Sequence, residues 1–179
     1  ALITGLSAIL VPLTPTPLTV DTRPTVPAFL TDGHWQRFVR PGHTLISARH
    51  PDMAYTEPMR WQMEAGFGFR INGGYFIGPI DADPRVGYTA TIRPTEDLLT
   101  RAVRTGQAQP VTGADRRAAL DDLRAWNADA IVLDATDPAA PHLRTTISRL
   151  YPVPEQLVGG VWVWDVRSLP RQLPNRLYT

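Results

Sequence analysis

A single α/β domain, built on a mostly parallel sheet with helices on both faces, is the fold class this sequence predicts. Three observations carry it. The runs Thr44 to Ala48 and Ala128 to Leu133 are short, β-branched and apolar on consecutive residues, as strands covered on both faces are. Between and after them lie amphipathic segments of helix length, an alternation that favours parallel strands with right-handed crossovers. The 179 residues suffice for one domain with a sizeable core. The arrangement expected is three-layered and Rossmann-like, over residues 21–168. A segment over 1–20 precedes it and a polar tail over 169–179 follows.

Taken in order, Val26 to Phe38 supplies a short apolar element, an Asp32-Gly33 turn and an aromatic pair, and Pro41-Gly42 a second turn. Thr44 to Ala48 is the first strand. Glu57-Pro58 opens a helix in which Met59, Met63 and Ala65/Gly66 draw the apolar stripe and Arg60 pairs with Glu64 at i,i+4. Phe67 to Ile71 alternates like a half-buried strand, and Asn72-Gly73-Gly74 turns the chain into Tyr75 to Ile77. Pro79 to Pro94 lacks periodicity and reads as an exposed loop.

Thr95 caps the next helix, with Glu96 and Asp97 in its first turn and Leu98, Leu99, Ala102 and Val103 inward up to Gly106. Thr112 and Asp115 form a capping box for another helix, carrying Ala119, Leu120, Leu123 and Trp126 and stopped by Asn127. The strand Ala128 to Leu133 follows. Asp137-Pro138 begins a last helix with Leu143, Ile147 and Leu150 inward. Val158 to Val166 closes the core.

Composition excludes several chemistries. There are 18 basic and 17 acidic residues with no block of like charge, so nucleic acid is not an expected partner. Every basic residue is Arg, which removes Schiff-base and Walker-lysine chemistry, and the absence of Cys removes thiol nucleophiles, thiolate metal sites and disulfides. His34, His43, His50 and His142 show no compact metal spacing, and neither a G-x-S-x-G elbow nor a phosphate-cradling glycine loop occurs. No metal, no cofactor and no catalytic residue is assigned.

Three candidate recognition groups remain, each beside a structural alternative. One is Asn72-Gly73-Gly74-Tyr75, where glycine lets the backbone approach a ligand closely, the alternative being a plain tight turn. Arg60, Trp61, Gln62 and Glu64 fall within little more than one helical turn, where Trp61 could stack on a sugar ring while the polar groups hold hydroxyls. The alternative puts Trp61 in the core and Arg60-Glu64 on the solvated face. Asp134 ends a buried strand, where open parallel sheets place ligand residues; alternatively it serves the start of the next helix. Asp165, on the face opposite Trp162 and Trp164, needs a partner, and Arg167 is the nearest.

Ala1 to Leu13 is uncharged and mostly apolar and runs into the proline-punctuated TPTPLTVDTRPTVP. It reads as the end of a transmembrane helix, since a full span needs about 20 such residues; the alternative is a buried N-terminal element. A signal-peptide core lacks the preceding basic residues and the following A-x-A.

The stretches RWQMEAGFGFRINGGYFIGP (Arg60 to Pro79), LRAWNADAIVLD (Leu123 to Asp134) and GGVWVWDVRSL (Gly159 to Leu169), with LVPLTPTPL near the N-terminus, resemble the carboxyl-terminal region of actinobacterial polytopic membrane proteins classed as glycosyltransferases of the GT-C type. The resemblance implies polyprenyl-phosphate sugar donors and a catalytic acid in a loop near the amino terminus of such proteins, outside this chain. It implies an extracytoplasmic domain at the cell membrane, noncatalytic, packing on the transmembrane part of the same polypeptide and supporting binding of a cell-envelope glycan acceptor. The alternative is a self-contained small-molecule-binding or enzymatic domain with its pocket at the strand carboxyl ends, near Asp134, Arg60 and Glu64.

Overall fold

The computed structural model describes residues 24–75, 77–80, 83–87 and 91–169, with backbone alone at 79–80 and 83–86. The helices are α1 (Ala28–Thr31), α2 (Glu57–Glu64), α3 (Pro94–Thr105), α4 (Gly113–Trp126) and α5 (Ala140–Leu150), with a 3-10 turn at His34–Arg37. The strands are β1 (Thr44–Ser47), β2 (Arg70–Ile71), β3 (Gly78–Ile80), β4 (Asp83–Gly87), β5 (Ala128–Asp134), β6 (Glu155–Val158) and β7 (Val161–Asp165).

Five strands form one sheet in the order β2-β1-β5-β7-β6. The β1 strand pairs in parallel with both β2 and β5, whereas β7 pairs antiparallel with β5 and β6. It follows that β7 alone runs against the other four, and the three runs singled out in the sequence share one mostly parallel sheet. The exception arises at Val158-Gly159-Gly160-Val161, a two-residue hairpin whose glycines both have positive φ (54° and 89°). That Gly-Gly pair is a hairpin signal which marks a second strand, β6, ahead of the closing one.

Strand alternation sorts side chains into two cores. Ile46, Ile131, Leu133, Trp164 and Val166 meet Leu98, Leu99 and Ala102 of α3, Ala119 and Leu123 of α4, and Leu143, Ile147 and Leu150 of α5. On the other face, Leu45, Ala130, Val132, Val161 and Val163 meet Phe29 and Leu30 of α1, Trp35, Phe38, Val39, Trp61 of α2 and Phe69. The sheet is therefore covered on both faces, long helices on one side and short elements on the other.

Several expected boundaries move. Pro79 to Pro94 is not a plain loop, because β3 and β4 pair antiparallel in a separate two-stranded ribbon. Of Phe67 to Ile71 only Arg70 and Ile71 form a strand, paired with Thr44 and Leu45 at the start of β1. The cap of α3 is Arg93, whose N–H donates to Glu96 Oε2 (2.9 Å), while the Thr95 N–H donates to buried Asp122 Oδ2 (2.9 Å). The capping box of α4 forms as expected, with Thr112 N–H donating to Asp115 Oδ2 (2.7 Å) and Asp115 N–H returning to Thr112 Oγ1 (3.2 Å).

Leu169, assigned to the tail, is buried in the α3–α5 core. The expected apolar stripe of α2 is also displaced: Pro58 and Trp61 face the sheet, while Met63 is 55% exposed. Tryptophan buries more area than methionine can, and it sets the helix's rotation. The stretch over 1–20 and the tail beyond Leu169 lie outside the described residues. Among the described residues, no helix is long and apolar enough to cross a membrane.

Candidate functional site

Open parallel sheets collect ligand residues where neighbouring strands send their connections to opposite faces, at the carboxyl ends. Here that point lies between β1 and β5. The connection from β1 to β2 runs through α2 on one face, and the chain returns to β5 through α3 and α4 on the other.

The carboxyl ends of β1 and β2 are stitched by Asn72. Its Oδ1 accepts from the Ser47 N–H (2.8 Å), and its Nδ2 donates to the Ser47 carbonyl (3.3 Å) and to Glu96 Oε1 (3.0 Å). His50 Nδ1 lies 2.9 Å from the same Glu96 oxygen, and both side chains are buried. A Cβ on Gly73 would come within 2.9 Å of the His50 ring and of the Pro51 carbonyl, so the chain passes this point only as glycine. Buried polar groups this well matched lock the edge of the sheet.

Next to this network the carboxyl end of β5 bears Asp134 and Asp137. Asp134 Oδ1 accepts from the N–H (2.8 Å) and hydroxyl (2.7 Å) of Thr136, and Asp137 Oδ1 accepts from Ala139 N–H (2.8 Å). Arg49, from the end of β1, reaches Asp137 Oδ2 at 3.4 Å and lays its guanidinium over the Tyr55 ring at 4.4 Å. Burial, reinforced by the Asp137 and Asp134 carboxylates and only partly opposed by Arg49, pushes the Tyr55 hydroxyl well above its usual range. A cleft of about 240 Å³ opens beside these groups, lined by Arg49, Gly106, Asp137, Ala139 and His142 among others. It offers one guanidinium, an imidazole and a carboxylate edge at the scale of one small polar molecule.

The amino end of the sheet is organised differently. Asp129, fully buried within β5, accepts from the Arg40 N–H (2.9 Å), Nε (2.9 Å) and Nη2 (2.6 Å), with His43 Nδ1 at 3.1 Å. Burial works to raise its pKa, but the Arg40 hydrogen bonds and the His43 and Arg40 charges outweigh it and hold the carboxyl below its ordinary value. Asp165 pairs with Arg167 as expected, and despite the opposing effect of burial its carboxyl is likewise lowered by the Arg167 hydrogen bonds. This end is a set of closed ion pairs.

The residues singled out in the sequence do not come together. Trp61 is 2% exposed within the core and offers no face for stacking. Arg60 pairs with Glu57 (3.4 Å), and donates to the Pro24 carbonyl. Gln62 Nε2 donates to the Phe69 carbonyl (2.8 Å), while Glu64 is exposed. Asp134 ends β5 and is taken up by Thr136, outside the lining of the cleft, and no hydrogen bond or ion pair among the described residues joins it to the α2 group. Sequence reasoning missed Arg49, His50, Tyr55, Glu96 and Asp137 as site residues, and marked Asn72 only as part of a glycine turn. Their shared signal was position, since Arg49-His50, Asn72 and Asp137 all lie just past the ends of strands. No protein-family model, curated protein or solved structure matches this chain.

Proposed function

We propose that this chain is the carboxyl-terminal, extracytoplasmic domain of a polytopic membrane glycosyltransferase that uses a polyprenyl-phosphate sugar. The domain is noncatalytic and meets the acceptor glycan at the cleft beside Arg49, Tyr55, Asp134 and Asp137. Membership in such a protein rests on the sequence stretches quoted above. In this reading the parallel β2-β1-β5 half is the Rossmann-like part, and its carboxyl edge is the binding edge.

The observation that carries the noncatalytic reading is the state of the buried carboxylates. Glu96, Asp122, Asp129 and Asp137 are each held by Arg, His, Asn or backbone N–H donors. A glycosyl-transfer acid or base must exchange a proton with substrate, and carboxylates saturated by fixed donors are poorly placed to do so. The test is turnover of a polyprenyl-phosphate sugar by the purified chain, expected to be absent, together with titration by cell-envelope polysaccharide fragments. Arg49→Ala should weaken glycan binding at least several-fold while Trp61→Phe leaves it unchanged. Turnover by the chain alone would overturn the noncatalytic reading and favour a self-contained enzyme. Tight binding of a small anion instead of a glycan would favour the small-molecule-binding alternative, for which the Arg49 cleft is the supporting observation.

A further inference from the structure

Outward-facing side chains differ sharply between the two helical layers. Among the described residues, none of the exposed large hydrophobics lies on α3, α4 or α5, whose exposed positions include Asp97, Arg104, Arg117, Asp121 and Arg124. On the other side, Met59 and Met63 of α2 stand at i, i+4 on the helix flank turned away from Trp61, and Phe67 follows three residues after the helix ends. Met63 is 55% exposed and Phe67 69%. Tyr75, 46% exposed, adjoins them, its N–H resting on the Met59 sulfur at 3.2 Å. Phe67 also has φ of 58°, a left-handed conformation that glycine adopts freely and a bulky side chain does not. A strained aromatic held out in solvent points to a surface with a use.

The chain's own course brings an apolar segment within reach of it. The Pro24 carbonyl, where the described chain begins, accepts a hydrogen bond from Arg60 on α2. The uncharged apolar segment Ala1 to Leu13 is joined to that point by Thr14 to Arg23, which spans at most about 35 Å even fully extended. The rim of the patch carries Glu57, Arg60, Glu64 and Arg70, two of each sign, so apolar contact rather than charge would hold it.

We propose that Met59, Met63, Phe67 and Tyr75 form the face by which this domain lies on a lipid bilayer. The inference rests on the membrane reading given under the proposed function, and adds which side of the domain meets the lipid.

The absence of cysteine makes the test direct. Met63→Cys, Phe67→Cys and, on the opposite layer, Arg117→Cys are made in the full chain, labelled with an environment-sensitive fluorophore and reconstituted with phosphatidylcholine vesicles. Thermal midpoints are checked against the unlabelled chain. The chain is expected to float with the vesicles. Labels at 63 and 67 should shift to the blue and be quenched by nitroxide lipids, insensitive to salt, while the label at 117 keeps its aqueous emission. Flotation with aqueous emission at 63 and 67 overturns the assigned face and leaves membrane attachment standing. Failure to float overturns both. Blue-shifted emission before vesicles are added also overturns it: independence of protein concentration gives the face to Ala1 to Leu13, and dependence on concentration gives it to a second copy of the chain.

Discussion

The two faces of the central sheet are covered by equal necessity and unequal means. On one side, α3, α4 and α5 supply ordinary amphipathic helices with leucines and alanines inward and charges outward. On the other, a four-residue helix, a 3-10 turn and the eight-residue α2 must cover comparable strand area, and they do it with aromatics: Phe29, Trp35, Phe38, Trp61 and Phe69. Trp35 and Phe69 meet edge to face at 5.1 Å. A layer made of short elements depends on a few large side chains, so its stability is concentrated in them. Its outer surface is then free of the constraint that gives a long helix a charged exterior.

The largest contrast should appear on truncating the aromatic layer. Trp61→Ala is expected to cost about 3–5 kcal/mol, lowering the thermal midpoint by about 10 °C in a domain of this size. Met63→Ala, on the same helix but turned outward, should change it by less than about 0.5 kcal/mol. Equal losses in a thermal melt would break the distinction between inner and outer faces of α2.

Asn72→Ala comes next. It strips Ser47 N–H of its acceptor and Glu96 of a donor in a buried setting, at about 2–3 kcal/mol by chemical denaturation. It should also loosen the carboxyl edge, read as faster amide exchange at Ser47.

At the amino end, Asp129→Asn should cost about 1–2 kcal/mol near neutral pH, less than a fully buried pair because Arg40 is 45% exposed. The folded carboxyl titrates below its unfolded value, so its contribution is complete above about pH 3.9 and is lost as pH falls through the lower folded value. Stability curves of wild type and variant should therefore converge on acidification below about pH 4. A gap that persists to pH 2 would remove the Arg40-Asp129 pair as its source.

The smallest effect has the opposite sign. Phe67→Gly relieves the left-handed backbone and gives up little packing, and should raise stability by about 0.5–1 kcal/mol. On the face proposed to meet lipid, it should at the same time weaken flotation with vesicles. That opposition sharpens the comparison between the face that packs on the sheet and the face proposed for docking.

The helices α3, α4 and α5 were legible because repeated i, i+3 and i+4 apolar positions leave one solution for which side is buried. The capping box at Thr112 and the turns at Gly106 and Asn127 were equally local, the last two taking left-handed φ as their residue types suggest. Asp165 and Arg167 were paired correctly from strand alternation. The α2 layer was not legible in the same way, since methionine and tryptophan lie on different sides of so short a helix and periodicity alone cannot choose between them. Asp129 was concealed for another reason. Within ADAIVLD it reads as one polar residue in a strand, and its partner Arg40 is distant in sequence, so only the folded topology brings them together. The carboxyl-end network shares that character, because His50 follows β1, Asn72 follows β2 and Glu96 sits in the first turn of α3.

The hairpin at Gly159 meets the start of the domain: Phe29 N–H donates to the Gly159 carbonyl (2.9 Å), and a Cβ at Gly159 would collide with the Phe29 nitrogen at 2.3 Å. The first helix of the fold is thus closed by nearly the last strand pair. During synthesis α1 leaves the ribosome long before its partner exists, and β5 emerges with the edge meant for β7 unpaired and apolar on both sides. Contacts so distant along the chain slow the search for the native state, and the waiting intermediate exposes a sticky strand edge. The domain is therefore expected to fold only after most of it has been made, and its nascent copies to depend on being kept apart until β7 has paired.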